Sequence, residues 1–192
     1  MFTGIVQAVG TIVRASPLEV ECPELARSDV AAGDSICVQG VCLTVTALTA
    51  RGFTADLSEE TRRVTAGLQA PGRVNLEKSL ALGERLGGHH VTGPVDGVGE
   101  VVAAEAGMVR VRLPAGLSKY VARKGSICVD GVSLTVNRVQ GDTFEVQLIP
   151  HTLAVTTLAR LAPDVKVNLE VDLIARYVER MLAESSPRTS ST

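Results

Sequence analysis

The stretch Ser35-Ile-Cys-Val-Gln-Gly-Val-Cys-Leu-Thr-Val45 occurs again 91 residues later as Ser126-Ile-Cys-Val-Asp-Gly-Val-Ser-Leu-Thr-Val136. Nine of the eleven aligned positions are identical. At nearly the same offset, Val74-Asn-Leu-Glu77 returns as Val167-Asn-Leu-Glu170. Self-similarity over this distance is typical of a duplicated structural unit. The chain is therefore predicted to contain two copies of one domain.

Each copy is predicted to consist of six short strands separated by glycine-rich turns. The core residues are mostly Val, Ile and Leu, and aromatic residues are only 3% of the chain. We expect strands in the first copy near residues 5–13, 17–21, 35–38, 42–48, 53–57 and 73–77. In the second copy we expect them near 95–103, 108–113, 126–129, 133–139, 143–148 and 166–170. Closure into a small barrel would remove the exposed strand edges, so an all-β fold of two six-stranded barrels is predicted.

An amphipathic helix is predicted after the second copy, over residues 173–182. Its apolar residues recur on one helical face, and Asp172 is a suitable N-cap. This stripe either packs on its own barrel or forms an oligomer contact. We expect domains at 1–86 and 87–172, a helix at 173–184 and a disordered tail at 185–192. The stripe comprises Leu173, Ile174, Tyr177, Val178, Met181 and Leu182.

Composition excludes several classes of protein. The net charge of −2 and the pI near 5.9 argue against a partner such as nucleic acid or a membrane surface. No segment is long and apolar enough to span a bilayer, and the N-terminus does not resemble a signal peptide. Four cysteines without a CxxC pair and three histidines predict no metal site. We therefore expect a cytoplasmic protein with reduced thiols.

The repeated block also carries the first candidate polar groups. Cys42 and Thr44 in one copy, and Ser133 and Thr135 in the other, are two residues apart and so share a strand face. Ordinary strand threonines would show the same spacing, which leaves a purely structural role open. A glycine-rich loop at 87–97 adds histidines and could line a ligand. The two copies differ in their polar groups, which favours unequal roles for two bound molecules.

Several motifs in their order resemble the riboflavin synthase family over residues 1–184. They include the N-terminal Met-Phe-Thr-Gly-Ile-Val, Gly87-Gly-His89 and Ala175-Arg-Tyr-Val-Glu-Arg180, besides the repeated block. The resemblance implies two Greek-key, lumazine-binding barrels and a homotrimer joined by the C-terminal helices. It also implies that two molecules of 6,7-dimethyl-8-ribityllumazine exchange a four-carbon unit. Riboflavin and 5-amino-6-(D-ribitylamino)uracil are the products, and no metal or organic cofactor takes part.

The resemblance further implies which residues form the site. Those expected to matter for turnover are Phe2, Ser35, Cys42, His89, Ser133 and Asp172. The first barrel is expected to bind one lumazine through Gly4, Ile5, Val6, Cys42, Leu43, Thr44, Asp56, Leu57, Ser58, Glu59, Glu60 and Thr61. The second barrel is expected to use Gly93, Pro94, Val95, Lys124, Ser133, Leu134, Thr135, Ile149, Pro150, His151, Thr152, Leu153 and Ala154.

One position departs from the family pattern. Pro94 stands where the family usually has a histidine, and proline has neither a polar side chain nor a backbone N–H. The departure has two interpretations. Either that histidine only tunes binding and the enzyme works without it, or the chain is a slowed or altered synthase that acts on a related lumazine or merely holds one, as a non-catalytic lumazine or flavin carrier would. Cys42, Ser133, Thr135 and Asp172 are all present, which favours the enzyme.

Overall fold

The computed structural model describes residues 1–25 and 29–185 as two closed antiparallel barrels followed by a helix. The first barrel contains β1 (Ala8–Ala15), β2 (Leu18–Glu21), β3 (Ser35–Val38), β4 (Val41–Leu48), β5 (Gly52–Ala55), α1 (Glu59–Val64) and β6 (Gly72–Lys78). The second contains β7 (Gly97–Glu105), β8 (Met108–Arg112), β9 (Ser126–Val129), β10 (Val132–Gln140), β11 (Thr143–Gln147), α2 (Pro150–Val155) and β12 (Lys166–Val171). Helix α3 spans Leu173–Ser185.

Both barrels have the same strand order. The first runs β1-β2-β5-β4-β3-β6, and the second has the equivalent order β7-β8-β11-β10-β9-β12. Each barrel has one bulge in its first strand, at Val13 and Val102, and one in its fourth, at Thr46 and Asn137. Bulges bend strands and increase twist, which closure of so small a barrel requires. The predicted all-β fold of two six-stranded barrels with a C-terminal helix is confirmed.

Alternation along the strands separates the core from the functional face. In β4, Val41, Leu43 and Val45 point into the first barrel and are buried, whereas Cys42 and Thr44 point outward. In β10 the equivalent Leu134 lies in the second core. Each core is a separate apolar cluster that branched aliphatic side chains dominate.

The first strand of each copy begins later than the sequence predicted. It starts at Ala8 rather than near residue 5, and at Gly97 rather than near residue 95. The reason is that residues 2–6 and 91–95 leave their own barrels and cross to the other one. Phe2 and Val91 pair with each other at the crossing, through N–H···O bonds of 2.7 and 3.1 Å.

The helix ends close to where the sequence predicted. Asp172 caps it, since its Oδ1 accepts the N–H of Ile174 at 3.0 Å. Of the predicted tail, Ser185 is the last residue of α3, and 186–192 lie outside the described residues. No helix in the described ranges is long and apolar enough to cross a bilayer.

Candidate functional site

A buried carboxylate holds the first crossing segment in place. Glu77 Oε1 accepts the backbone N–H and the hydroxyl of Thr3, both at 2.7 Å, and Oε2 accepts the N–H of Gly4 at 3.0 Å. Glu77 is only 4% exposed. Three donors on one carboxylate satisfy backbone groups that have no strand partner. We refer to this arrangement as the Glu77 clamp.

The second crossing segment has an equivalent clamp, formed by Glu170. Its Oε1 accepts the N–H of Thr92 at 2.7 Å and the hydroxyl at 2.6 Å, and Oε2 accepts the N–H of Gly93 at 2.9 Å. Burial raises the pKa of Glu170, as it does that of Glu77, and the donated hydrogen bonds oppose the rise. Both crossing segments are thus fixed by the same chemistry.

Each clamped segment ends on the opposite barrel. The carbonyl of Gly4 accepts the N–H of Ser133 at 2.8 Å, and the carbonyl of Gly93 accepts the N–H of Cys42 at 3.1 Å. Val6 packs against the second core and Val95 against the first. The predicted grouping is therefore wrong in one respect. Residues 4–6 lie beside the polar groups of the second barrel, and residues 93–95 lie beside those of the first.

Close approach explains why both carbonyls belong to glycine. Gly4 has φ +76° and Gly93 has φ +95°, a region that other residues rarely adopt. A Cβ added to Gly4 would lie 2.6 Å from Cβ of Ser133, and one added to Gly93 would lie 2.3 Å from Cβ of Cys42. Any side chain here would push the segment off the opposite barrel.

The first candidate site is a cavity of about 560 Å³ beside Cys42. One wall comes from β4 and α1 of the first barrel, and the other from the crossing segment of the second copy. We call it the Cys42 pocket. Its lining residues are Val41, Cys42, Glu60, Thr61, Val64, Thr65, Gly93, Pro94, Val95 and Asp96.

Helix α1 presents its N-terminal turn to this pocket. Ser58 caps the helix, because its Oγ accepts the N–H of Thr61 at 3.0 Å. Thr61 Oγ1 in turn lies 2.8 Å from Ser58 Oγ. The hydroxyl of Thr61 and the exposed carboxylate of Glu60 therefore belong to residues that line the same cavity as Cys42. Pro94 is exposed on the opposite wall, where it supplies a rigid apolar surface and no donor.

The second candidate site centres on Ser133, and we call it the Ser133 site. Its Oγ is 2.6 Å from Nδ1 of His89, a hydrogen bond that joins β10 to the glycine-rich loop. The backbone N–H of His89 donates to the carbonyl of Thr3 at 3.1 Å, which ties this loop to the first crossing segment. Burial lowers the pKa of His89 below 6.5, and the nearby Asp172 carboxylate partly opposes that shift. The histidine is consequently neutral near pH 7.

The two sites are equivalent in backbone and unequal in chemistry. The Cys42 pocket has a thiol with no histidine beside it, and the Ser133 site has a hydroxyl bonded to a neutral imidazole. The unequal polar groups expected from the divergence of the repeats are thus found at matched positions. The imidazole of His89 can accept a proton through the hydroxyl of Ser133, whereas the Cys42 pocket has no histidine beside its thiol to do the same.

A buried polar network joins the barrels at their junction. Asn75 Nδ2 donates to the carbonyl of Asp130 at 2.8 Å, and Asn168 Nδ2 donates to the carbonyl of Gln39 at 2.9 Å. The equivalent turn residues differ, however, since Gln39 is neutral and Asp130 ionises. Burial raises the pKa of Asp130 to about 7. Hydrogen bonds from the backbone N–H of Asn168 and from the side chain of Gln39 oppose this rise.

Some predicted residues are not at either site surface. Phe2 is fully buried between the barrels with Cys37, Val91 and Cys128, so its side chain presents no surface to a ligand here. Ser35 lines a different cavity, of about 230 Å³, away from Cys42. Lys124 is exposed, in a left-handed conformation (φ +69°), and its N–H donates to Val136.

The other predicted residues are divided between surface and core. Leu43, Leu57 and Leu134 point into the cores and present only backbone to a ligand; Leu153 packs on the second core. The exposed or half-exposed ones are Ile5, Val6, Thr44, Asp56, Ser58, Glu59, Glu60, Thr61, Thr135, Ile149, Pro150, His151, Thr152 and Ala154.

Sequence reasoning did not identify the clamps or the junction asparagines. Both belong to the repeated Val-Asn-Leu-Glu motif of β6 and β12, where Asn and Glu alternate with apolar residues in the buried part of each strand. Polar residues inside a buried strand need hydrogen-bond partners, and this was the available signal. Among the described residues, no group of three or more His, Cys, Asp or Glu side chains could hold a metal ion.

Comparison with known proteins agrees with this geometry. The lumazine binding domain family matches residues 3–79 and again 92–172. The chain is 48% identical to riboflavin synthase of Mycobacterium bovis, covering 95% of this chain and 98% of the relative. It is 46% identical to that of Photobacterium phosphoreum, covering 97% and 91%. A crystal structure of LumP complexed with riboflavin has a TM-score of 0.80 at 27% identity, covering 89% of this chain and 99% of LumP. The chain therefore belongs to the riboflavin synthase family.

Proposed function

We propose that this protein is a riboflavin synthase that converts two molecules of 6,7-dimethyl-8-ribityllumazine into riboflavin and 5-amino-6-(D-ribitylamino)uracil. The observation that supports it most is the hydrogen bond between His89 and Ser133 at one site and its absence beside Cys42 at the matched site. A dismutation treats two identical molecules differently, so it needs two sites of similar shape and unequal chemistry. The family membership supports the same reaction.

We assign one lumazine to each site, using residues from both repeats. In the Cys42 pocket, Thr61 and the backbone of 93–95 would hold one ring against β4. At the Ser133 site, residues 4–6, Thr135 and 149–154 would hold the other. The lumazine-binding units are proposed as 1–86 and 87–172, although each gives its crossing segment to the other.

The proposed role of His89 and Ser133 is to move a proton. The 7-methyl protons of the lumazine are acidic because the carbanion delocalises into the ring, so a moderate base suffices. A neutral His89 accepts the proton through the hydroxyl of Ser133, and Asp172 stabilises the resulting imidazolium. Cys42 would then act at the partner lumazine as a nucleophile or hydrogen-bond donor.

Orientation of the two lumazine rings also contributes to the acceleration of the reaction. Holding two reactants in a near-attack geometry contributes up to about 7–11 kcal/mol in ideal intramolecular systems. Here the two clamps fix the walls of both sites before any ligand binds, so little reorganisation is needed on binding. Pro94 is compatible with this role, because a rigid apolar wall orients a ring without donating to it.

We propose a homotrimer in which the Cys42 pocket of one subunit faces the Ser133 site of a neighbour. Helix α3 supports an oligomer contact: Ile174, Tyr177, Met181 and Leu182 are each between 64% and 69% exposed. Such a stripe on one helix face is costly to leave in water. Light scattering should give three times the 20.1 kDa chain mass. Replacing Tyr177 and Met181 with Glu and Lys should reduce the mass to that of one chain.

The function is tested by mixing the purified protein with 6,7-dimethyl-8-ribityllumazine and following its absorbance and riboflavin fluorescence. The chain contains no Trp, so the ligand signals are not obscured. We expect one riboflavin to form for every two lumazines consumed. Tight lumazine binding without product would overturn the proposal and identify a carrier.

A further inference from the structure

We infer that Cys42 and Cys37 form a peroxide-sensitive thiol pair, which closes to a disulfide across β3 and β4 and so removes the free Cys42 thiol from the Cys42 pocket. Formation of this disulfide depends on the geometry of β3 and β4 and is independent of the function proposed above. Only its consequence for turnover rests on the proposed function.

The two cysteines are directly opposite each other in the β3–β4 ladder. Opposed residues of an antiparallel pair project to the same sheet face. Their neighbours Ile36 and Leu43 point into the first core, so Cys37 and Cys42 both point out of the barrel, towards the second one. The thiols therefore share one face and one position along the strands.

The hydrogen-bond pattern brings these two residues particularly close. The N–H of Cys42 donates to Gly93 of the other repeat, so it is not exchanged with Cys37. Opposed residues that exchange no hydrogen bonds have Cα atoms about 4.5 Å apart. A disulfide needs Cα atoms about 4.4–6.8 Å apart, which includes this separation.

Accessibility gives the two thiols different roles. Cys42 is exposed and lines the pocket, whereas Cys37 is 2% exposed beneath it. An oxidant therefore reaches Cys42 first. Burial raises the pKa of Cys37 well above its usual range, which makes ring closure the slower step.

The redox step balances with hydrogen peroxide as the two-electron oxidant. The thiolate of Cys42 attacks one peroxide oxygen, so an S–O bond forms, the O–O bond breaks and hydroxide leaves. The sulfur of Cys37 then loses its proton and attacks Cys42, which forms the S–S bond and expels the sulfenic oxygen as water. Overall two thiols and one peroxide give one disulfide and two waters.

The second barrel provides a built-in control. Cys128 occupies the position of Cys37 on β9, but Ser133 lies opposite it on β10. A hydroxyl cannot close a disulfide, so the Ser133 site is insensitive to this reaction. Cys128 does contact the cluster that contains Cys37, so a Cys37–Cys128 bridge between barrels is the competing product.

Tryptic digestion distinguishes the products, because Cys128 falls on a different peptide from Cys37 and Cys42. Cys37 and Cys42 both lie in residues 28–51, and Cys128 lies in 125–138. The full-length protein is treated with hydrogen peroxide, alkylated in denaturant and digested. We expect peptide 28–51 to lose two hydrogens and to resist alkylation, and the four thiols per chain to fall to two.

Matched variants make the result decisive. Cys128→Ala should form the same disulfide, whereas Cys37→Ala should form none and should leave a Cys42 sulfenic acid that dimedone traps. Turnover of the oxidised wild type should fall to about the level of Cys42→Ser, a loss of less than about tenfold, and should return with dithiothreitol. A reduced peptide 28–51 after peroxide, or a cross-link between 28–51 and 125–138, would overturn the inference. These peptide masses are informative even if the protein makes no riboflavin.

Discussion

The two barrels share their strand order, their crossing segment and their carboxylate clamp, yet their polar side chains differ at two matched positions and in one histidine. Cys42 corresponds to Ser133, Gln39 corresponds to Asp130, and the histidine beside Ser133 has no counterpart beside Cys42. What is shared gives the two sites equivalent backbone frames, and what differs sets the chemistry of each site. Duplication thus supplies a scaffold, and a few polar substitutions make its halves unequal.

The largest effect should come from breaking the asymmetry at the Ser133 site. Ser133→Ala is expected to lower kcat at least 100-fold, within the range of general acid–base catalysis, because the imidazole loses its route to the substrate. His89→Ala should cost a similar amount, and the double variant little more, since both act in one step. Stopped-flow turnover measures all three.

Cys42→Ser is the matched control, because it gives the first site the side chain of the second without its histidine. We expect a loss of less than about tenfold, since no proton relay is removed. Because the pKa of His89 is lowered from 6.5, kcat/KM should be nearly constant above about pH 7.5, one unit above that value, and should fall at more acidic pH. Equal losses in Cys42→Ser and Ser133→Ala would contradict the assigned asymmetry.

A second comparison concerns the junction between the barrels, where the ionisable Asp130 of the second barrel occupies the position of the neutral Gln39 in the first. Asp130→Asn should raise the free energy of unfolding at pH 8 by up to about 4 kcal/mol, since a pKa unit is worth about 1.4 kcal/mol. The variant is expected to be the more stable protein because the pKa of Asp130 in the folded state is raised to about 7 from 3.8. Between these pH values only the folded chain keeps the proton, so wild-type stability declines as pH rises.

Urea unfolding at pH 4 and pH 8 tests this prediction. The gain from Asp130→Asn should be large at pH 8 and fall below about 1 kcal/mol at pH 4, where the folded carboxyl is protonated and the unfolded one is about half protonated. Gln39→Glu in the first barrel should show the reverse, a loss at pH 8. A gain that is independent of pH would show that the carboxyl is not buried at the junction as described.

A smaller effect should separate the two clamps. Glu77→Gln replaces an acceptor with a donor towards Gly4, and should weaken lumazine binding at the Ser133 site about tenfold, the equivalent of a lost charged hydrogen bond. Glu170→Gln should do the same at the Cys42 pocket. Calorimetric titration with riboflavin, which does not react alone, measures both binding steps.

Blocking Cys42 with methyl methanethiosulfonate shows which of the two binding steps belongs to the Cys42 pocket. In Glu77→Gln the block should remove the remaining tight binding, whereas in Glu170→Gln it should change little. If the block has the same effect on both variants, each clamp acts on the whole fold and not on the opposite barrel.

The smallest effect is expected at Pro94. Pro94→His restores the side chain usual in the family, and should change KM by less than about threefold, the equivalent of one exposed hydrogen bond. Steady-state kinetics with the lumazine are sufficient. A large gain in kcat would show that Pro94 limits turnover, which favours the altered-enzyme interpretation of this position.

The repeat made the fold predictable. An eleven-residue block with alternating apolar residues, returning at a fixed offset, determines the barrel count and most strand positions. The motifs also identified Cys42, Ser133, His89 and Asp172 as candidates. What the sequence could not show was which barrel each crossing segment reaches. Residues 4–6 and 93–95 are near their own strands in sequence, and only the clamps by Glu77 and Glu170 direct them across.

The central claim is that a Cys42 pocket and a Ser133 site from different subunits act together on two lumazines. Mixed trimers test it most directly. Cys42→Trp fills one site, Ser133→Ala disables the other, and each variant alone should be almost inactive. When the two variants are refolded together in equal amounts, the mixed trimers should regain about a quarter of wild-type turnover. In random assembly, an intact Cys42 pocket meets an intact Ser133 site at about one subunit contact in four. Mixed trimers no more active than the separate variants would contradict the claim.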